Sequence, residues 1–246
     1  MFSIMNQTQT WQTDWQAAIA RVYEEFAACR RPSVMDVAPH RDAAAILRDL
    51  SSAPLAELTE ERLGPYAGWA LTTVGNESDY KHFLPRIIAL MAEPTSHIGL
   101  DPLIVADKLN YADFCNWPVE QRAVLRNAFR AALSMIYRQP RGTLPVSELL
   151  IANALIDNDI QVLLDGLLPA TTLDTVLNLA DLIREAATDM ERFEVDWSTM
   201  PKSDRIKLRA WVASEAVSQA LTAGIELVDE DDAWEIEAAF DLLTFQ

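Results

Sequence analysis

The side chains that could do chemistry are concentrated in one short stretch. Tyr66 and Trp69 come just before Asp79, His82 and Arg86. The last three are spaced i, i+3, i+7, so a helix through them gathers all three on one polar stripe. An aspartate can orient an imidazole, and an arginine fork beside it can hold an anion. Read that way, Tyr66, Trp69, Asp79, His82 and Arg86 predict a small-molecule or enzymatic site, with Arg86 holding an anionic ligand and His82 polarising it. The same residues also have a purely structural account. Ser78 or Asp79 caps a helix, Arg86 ties down the carbonyls of the Gly75 turn, and His82 sits satisfied at a helix seam. Pro85 favours this second account, because it cannot donate to residue 81 and it pushes Leu84 away from helical angles.

Other catalytic and metal patterns are missing. His40, His82 and His97 are the only histidines, and none pairs with another at i+3 or i+4. The acidic run Asp229–Asp232 lacks the glycine and the spacing of a calcium loop. There is no nucleophile elbow, phosphate-binding glycine loop or dinucleotide fingerprint. No metal ligands and no cofactor are therefore assigned. Cys29 and Cys115 are far apart in apolar contexts and read as buried free thiols. Trp11 and Trp197 lie nearest to loops or ends, and the remaining tryptophans sit mostly at helical core spacing.

The elements that must position these residues are helices throughout. Glycine is scarce, with 7 among 246 residues, and apolar residues recur at helical spacing. Trp15, Ile19, Val22, Tyr23 and Phe26 give a first helix, and Asp42–Leu50 a second. A third opens at Thr59 and stops near Gly75, with Gly64-Pro65 as a possible early break. Tyr80, Phe83, Leu84, Ile87, Ile88 and Met91 share one apolar face, which is core. Further helices are expected at Leu103–Leu109, from Pro118 to Gln139, and over Pro145–Ile156, Asp159–Leu168, Leu173–Ala187, Pro201–Ala223 and Asp229–Leu243. The fold class is all-α, about ten antiparallel helices forming a compact bundle or a short HEAT-like stack. The chain reads as one domain over 1–246, with a possible subdivision near 138–145, where Pro140-Arg141-Gly142 stops a helix.

Ala70-Leu71-Thr72-Thr73-Val74-Gly75 followed by Asp79-Tyr80-Lys81-His82-Phe83-Leu84-Pro85-Arg86 resembles a segment of bacterial proteins without an assigned activity. Val74 and Asn76 depart from that pattern, where an aromatic and an Asp are usual. The likeness covers about twenty residues. It implies a bacterial source and a shared local structure, and it supplies no catalytic roles.

The formal charge is −17, with the excess concentrated towards the C-terminus, where Asp229, Glu230, Asp231, Asp232 and Glu235 have no basic residue among them. No basic stripe exists to neutralise phosphates, so nucleic acid is excluded, and anionic lipid would repel the chain. No apolar run is long enough to span a membrane and no leader is evident, so the expected location is cytoplasmic. The partner such a surface favours is a basic protein. The function expected is a non-catalytic protein-binding module of immunity, inhibitor or scaffold type, with that C-terminal acidic run facing the partner.

The segment Ser78–Arg86 is expected to be a joint between a helix ending near Val74 and one beginning near Pro85. Arg86 would then bond the carbonyls that Pro85 leaves open. Losing a cap costs about 1 kcal/mol and leaving a buried carbonyl unpaired ~1–3 kcal/mol. Urea unfolding should therefore rank Arg86→Ala above Asp79→Ala, with Phe83→Ala, at ~3–5 kcal/mol, above both. An Arg86→Ala variant that keeps full stability yet loses binding of a ligand or partner would rule the joint out in favour of the site.

Overall fold

The computed structural model describes residues 2–94, 97–142, 144–168, 170–187, 196–229 and 232–244, with backbone alone over 2–9 and at 244. The fold is all-α. Among the described residues there are twelve α-helices, several short 3₁₀ turns and no strand. None of these helices is long and apolar enough to cross a membrane. The chain divides into two compact units. One is Gln12–Ala131, and the other joins Ala132–Gln246 to the first residues, Met1–Trp11. The division falls inside a continuous helix, α6 (Val119–Ile136), ahead of the Pro140-Arg141-Gly142 stop.

The part of α1 (Phe2–Glu25) that belongs to the first unit, from Gln12 on, buries Ala18 and Val22, with Phe26 just beyond its end. Asp42 caps α2 (Ala43–Leu50), its carboxylate accepting from the Ala45 amide at 3.0 Å. The next helix, α3 (Glu60–Trp69), runs straight through Gly64-Pro65. It stops at Trp69 and does not reach Gly75. The β-branched residues Thr72, Thr73 and Val74 resist helix, and Leu71 turns the chain with φ +67°. The turn is tied to an earlier segment. The Ala38 amide donates to the Thr73 carbonyl at 2.9 Å and the Gly75 amide to the Asp36 carbonyl at 2.7 Å.

Helix α4 (Glu77–Met91) corrects the expected joint. It begins eight residues before Pro85 and continues through it. A capping box sets the start, because the Asn76 side chain accepts from the Asp79 amide and the Asp79 carboxylate accepts from the Asn76 amide. The predicted face, Tyr80, Phe83, Leu84, Ile87, Ile88 and Met91, is buried throughout. A proline inside a helix costs about 3 kcal/mol, and each fully buried large apolar side chain contributes ~1.5–3 kcal/mol. Six such side chains outweigh one interrupted rung. The joint therefore lies at Ala70–Asn76, between α3 and α4, and not at Ser78–Arg86.

The second unit is organised around α9 (Leu173–Ala187), which packs against α7 (Val146–Leu155), α10 (Lys202–Val212), α11 (Glu215–Gly224) and α12 (Ala233–Thr244). Helix α7 is buried almost all round, which explains its lack of a polar face. Asn178 on α9 is buried and donates to the Tyr137 and Gln139 carbonyls at 3.0 and 2.9 Å, closing the end of α6. Pairs α7 and α8 (Ile160–Gly166) meet through Asn158, whose amide donates to Asn153 at 2.7 Å. The single helix expected over Pro201–Ala223 is two. Ser214 caps α11, its hydroxyl accepting from the Val217 amide, and breaks the run after Val212.

In the first unit α3 presents Gly64 and Gly68 on one face, and the turn Ile98–Leu100 lies directly on them. A methyl at Gly99 would sit 2.3 Å from the Gly64 carbonyl oxygen and from the Gly68 nitrogen. Neither backbone atom can move aside. Overpacking a core costs ~1–3 kcal/mol, so Gly99→Ala should destabilise by about 3 kcal/mol in urea unfolding. Gly166→Ala, where a methyl meets nothing within 4 Å, should shift stability by under ~1 kcal/mol. Equal losses in the two variants would show that the contact on α3 is not tight.

Candidate functional site

Tyr66, Trp69, Asp79, His82 and Arg86 all lie in the first unit, and each contacts a neighbour, while the Tyr66 hydroxyl and His82 Nε2 are buried without a hydrogen-bond partner. Tyr66 is buried on α3, with its ring edge-on to Phe83 at 4.9 Å. Burial pushes its hydroxyl well above the usual tyrosine range. Trp69 is half-buried and carries the Arg41 guanidinium over its ring at 3.8 Å. Asp79 is the capping-box acid, and burial raises its carboxyl while the Asn76 amide draws it down. His82 Nδ1 lies 2.8 Å from the Cys29 carbonyl. Arg86 Nε donates to the Leu58 carbonyl at 2.8 Å, and the same guanidinium lies beside the Tyr23 hydroxyl. Arg86 thus spans to the turn before α3. It serves neither the Gly75 turn nor a carbonyl opened by Pro85, because the continuous α4 aims it at the preceding chain.

Sequence reasoning missed the most buried cation of this unit. Lys108 on α5 (Pro102–Tyr111) is 6% exposed. Its ammonium donates to the Ala70 carbonyl at 2.8 Å and to the Thr72 hydroxyl at 3.2 Å, and desolvation lowers its affinity for the proton. The only hint in the sequence was a lysine beside the apolar Leu109. Two further expectations need correction. Cys115 is exposed, in a short turn after Asp113 (φ +56°) that buries Phe114 and leaves Cys115 and Asn116 at the surface. A hydrogen bond from Cys115 Sγ to Asp113 raises the thiol. Of the two tryptophans placed near loops, Trp197 is buried and Trp11 half-buried, whereas Trp234 on α12 is 56% exposed.

The acidic run behaves differently from a uniform surface. Glu230 and Asp231 lie outside the described residues. Asp229 is exposed and accepts from the Asp232 amide at 3.2 Å. Asp232 lies 3.8 Å from Arg141. Glu235 is 7% exposed and faces inwards, not towards a partner. Arg141 grips it with both arms, one at 2.8 Å, and Arg184 reaches it at 3.2 Å. Asp181 completes the cluster, 3.5 Å from Arg141 and 3.3 Å from Arg184. The bases absent from the run itself come from the helix stop at Arg141 and from α9. Glu235 holds Arg141 all the more firmly protonated, and burial raises the Asp181 carboxyl against the pull of both arginines.

Beside this cluster lies a cavity of about 230 Å³ between the start of α7 and α9. Leu144, Val146 and Leu182 supply apolar wall, and Arg141, Asp181 and Glu185 the charged groups. Burial pushes the Glu185 carboxyl up. Ser147, wholly buried on α7, has no hydrogen-bond partner at bonding distance, yet its hydroxyl is close enough to Glu185 to favour the carboxylate. Among the described residues no group of three or more His, Cys, Asp or Glu side chains is placed to hold a metal ion. No protein-family model matches the chain, and neither the curated proteins nor the solved structures contain a match.

Because the folded-state pKa of Glu185 lies above its unfolded value, its contribution to stability is complete below the unfolded pKa and is lost as pH rises through the folded one. A permanently neutral Glu185→Gln variant escapes that loss. It should unfold at higher urea concentration than the parent at neutral pH, with the gap closing as pH falls into the ordinary glutamate range. A gap that is constant across this range would mean the carboxylate is not held at a cost.

Proposed function

We propose that this chain is a non-catalytic protein-binding module, of immunity, inhibitor or scaffold type, whose acidic surface engages a basic partner. The observation that carries the reading is the charge imbalance, 37 acidic residues against 20 basic, for a formal −17. Internal pairing cannot remove it. Even if every Lys and Arg neutralised one carboxylate, the full excess would remain. Several bases are also spent on uncharged groups. Lys108 donates to Ala70 and Thr72, Arg86 to Leu58 and Arg138 to Ser134. Such an excess attracts a basic protein across solvent, steers it on encounter and disfavours acidic competitors.

The site residues fit this reading better than catalysis. In the first unit Asp79, His82 Nδ1 and Arg86 are on backbone groups, and His82 Nε2, which has no hydrogen-bond partner, is buried. Arg31 and Arg62 are exposed but also committed, to the Ala53 carbonyl and to Asp49. The binding function then belongs to the surface charge, and the buried cations belong to the fold.

The test is capture from the source cell at low salt, followed by affinity measurement with the purified partner. The partner should be basic, and its affinity should fall by at least tenfold between about 50 and about 300 mM salt as exposed charges are screened. An acidic partner, or an affinity indifferent to salt, would overturn the reading.

A further inference from the structure

We infer that the cavity between the start of α7 and α9 receives the cationic end of a basic side chain, an arginine guanidinium or a lysine ammonium presented by the partner. This rests on the reading of a basic partner and gives that partner a socket. The size is suitable. About 230 Å³ is the share of roughly seven water molecules, comparable with the roughly seven non-hydrogen atoms of an arginine side chain. The wall is suitable as well. Leu144, Val146 and Leu182 can cover the methylene stem while the charged head meets carboxylate.

The sign of the ligand follows from which charges are already spent. Arg141 lines the cavity, but both its arms are on Glu235. Arg184 serves Asp181 and Glu235. Neither guanidinium is therefore available for an anion. The group as a whole sets two guanidiniums, Arg141 and Arg184, against four carboxylates, Asp181, Glu185, Asp232 and Glu235. Glu185 is the carboxylate that makes no salt bridge among the described residues, and it stands one helical turn beyond Asp181 in the cavity wall. Ser147 on α7 is wholly buried, and its hydroxyl has no hydrogen-bond partner. A cation entering here would complete a charge-assisted hydrogen bond that the chain leaves unmade.

The experiment uses the full chain and three small probes, n-butylguanidinium, n-butylammonium and the neutral n-butylurea, with binding read by calorimetry and by amide shifts at Leu144, Val146 and Leu182. The two cations should bind saturably and at least about tenfold more tightly than the urea, the fold-change expected of one charge-assisted hydrogen bond. Glu185→Gln should remove that preference while the protein stays folded, and the variant's expected gain in stability separates this loss from unfolding. A peptide carrying one arginine should likewise bind more tightly than its citrulline counterpart, in the parent and not in the variant. Equal binding of urea and cation, or cation binding untouched by Glu185→Gln, would overturn the socket. A basic peptide held with steep salt dependence but indifferent to Glu185 would overturn the socket and leave the charged-surface reading standing. Small cations bound without any preference for the arginine peptide would overturn the partner's side chain as the occupant.

Discussion

The carbonyl of Ala70 must find a donor away from solvent, and the Lys108 ammonium supplies it at 2.8 Å. Much of the first unit depends on this bond. When α3 ends at Trp69, the chain has to reverse within a few residues, and Leu71 takes a left-handed conformation to do it. A reversal of that tightness turns a peptide carbonyl inwards, and an unpaired buried carbonyl costs ~1–3 kcal/mol. The same ammonium reaches the Thr72 hydroxyl, so one side chain holds both ends of the turn. The far side of the turn is then free to pair with Asp36 and Ala38 and to place Asn76 where it can cap α4.

Arg86 and His82 extend the same solution along α4. Each lies against a backbone carbonyl of an earlier segment, Arg86 at Leu58 and His82 at Cys29. Helix ends and tight turns leave carbonyls unbonded, and a helical unit with many short connections has many of them. Long basic side chains can reach such groups from a neighbouring helix, which explains why a segment rich in Lys, His and Arg can be structural. In the second unit Asn178 does this work at the end of α6, and the arginines are used differently. Arg141 and Arg184 take up Glu235, so the inward-facing acid of α12 is neutralised within the fold.

This division of labour links the fold to the proposed function. The acidic excess is set by composition, and cations spent on carbonyls leave still fewer of them to pair with carboxylates. Glu185 represents the opposite choice. It is held in a partly buried wall at a cost to stability, without the salt bridge that Glu235 has.

The local features were legible in the residues themselves. The all-α class, the buried face of α4, a capping role for Asp79 and the stop at Pro140-Arg141-Gly142 all follow from periodicity and from capping chemistry, which act over a few residues of chain. Where two local rules competed, as at Pro85 or between Val212 and Glu215, the winner depended on burial and on one cap, and the sequence pattern alone misjudged both. Partners distant in the chain were not legible at all. Nothing near Lys108 indicates Ala70, nothing near Arg86 indicates Leu58, and nothing near Glu235 indicates Arg141, 94 residues away. Nor does spacing tell that Trp234 faces out or that Cys115 is exposed. The sequence by itself determined the helical class, through the spacing of its apolar residues, and the net charge, which is a sum over residues. Which charges are spent inside and which remain for a partner was decided by tertiary packing, because a charge is neutralised by what lies within a few ångströms of it and not by what precedes it in the chain.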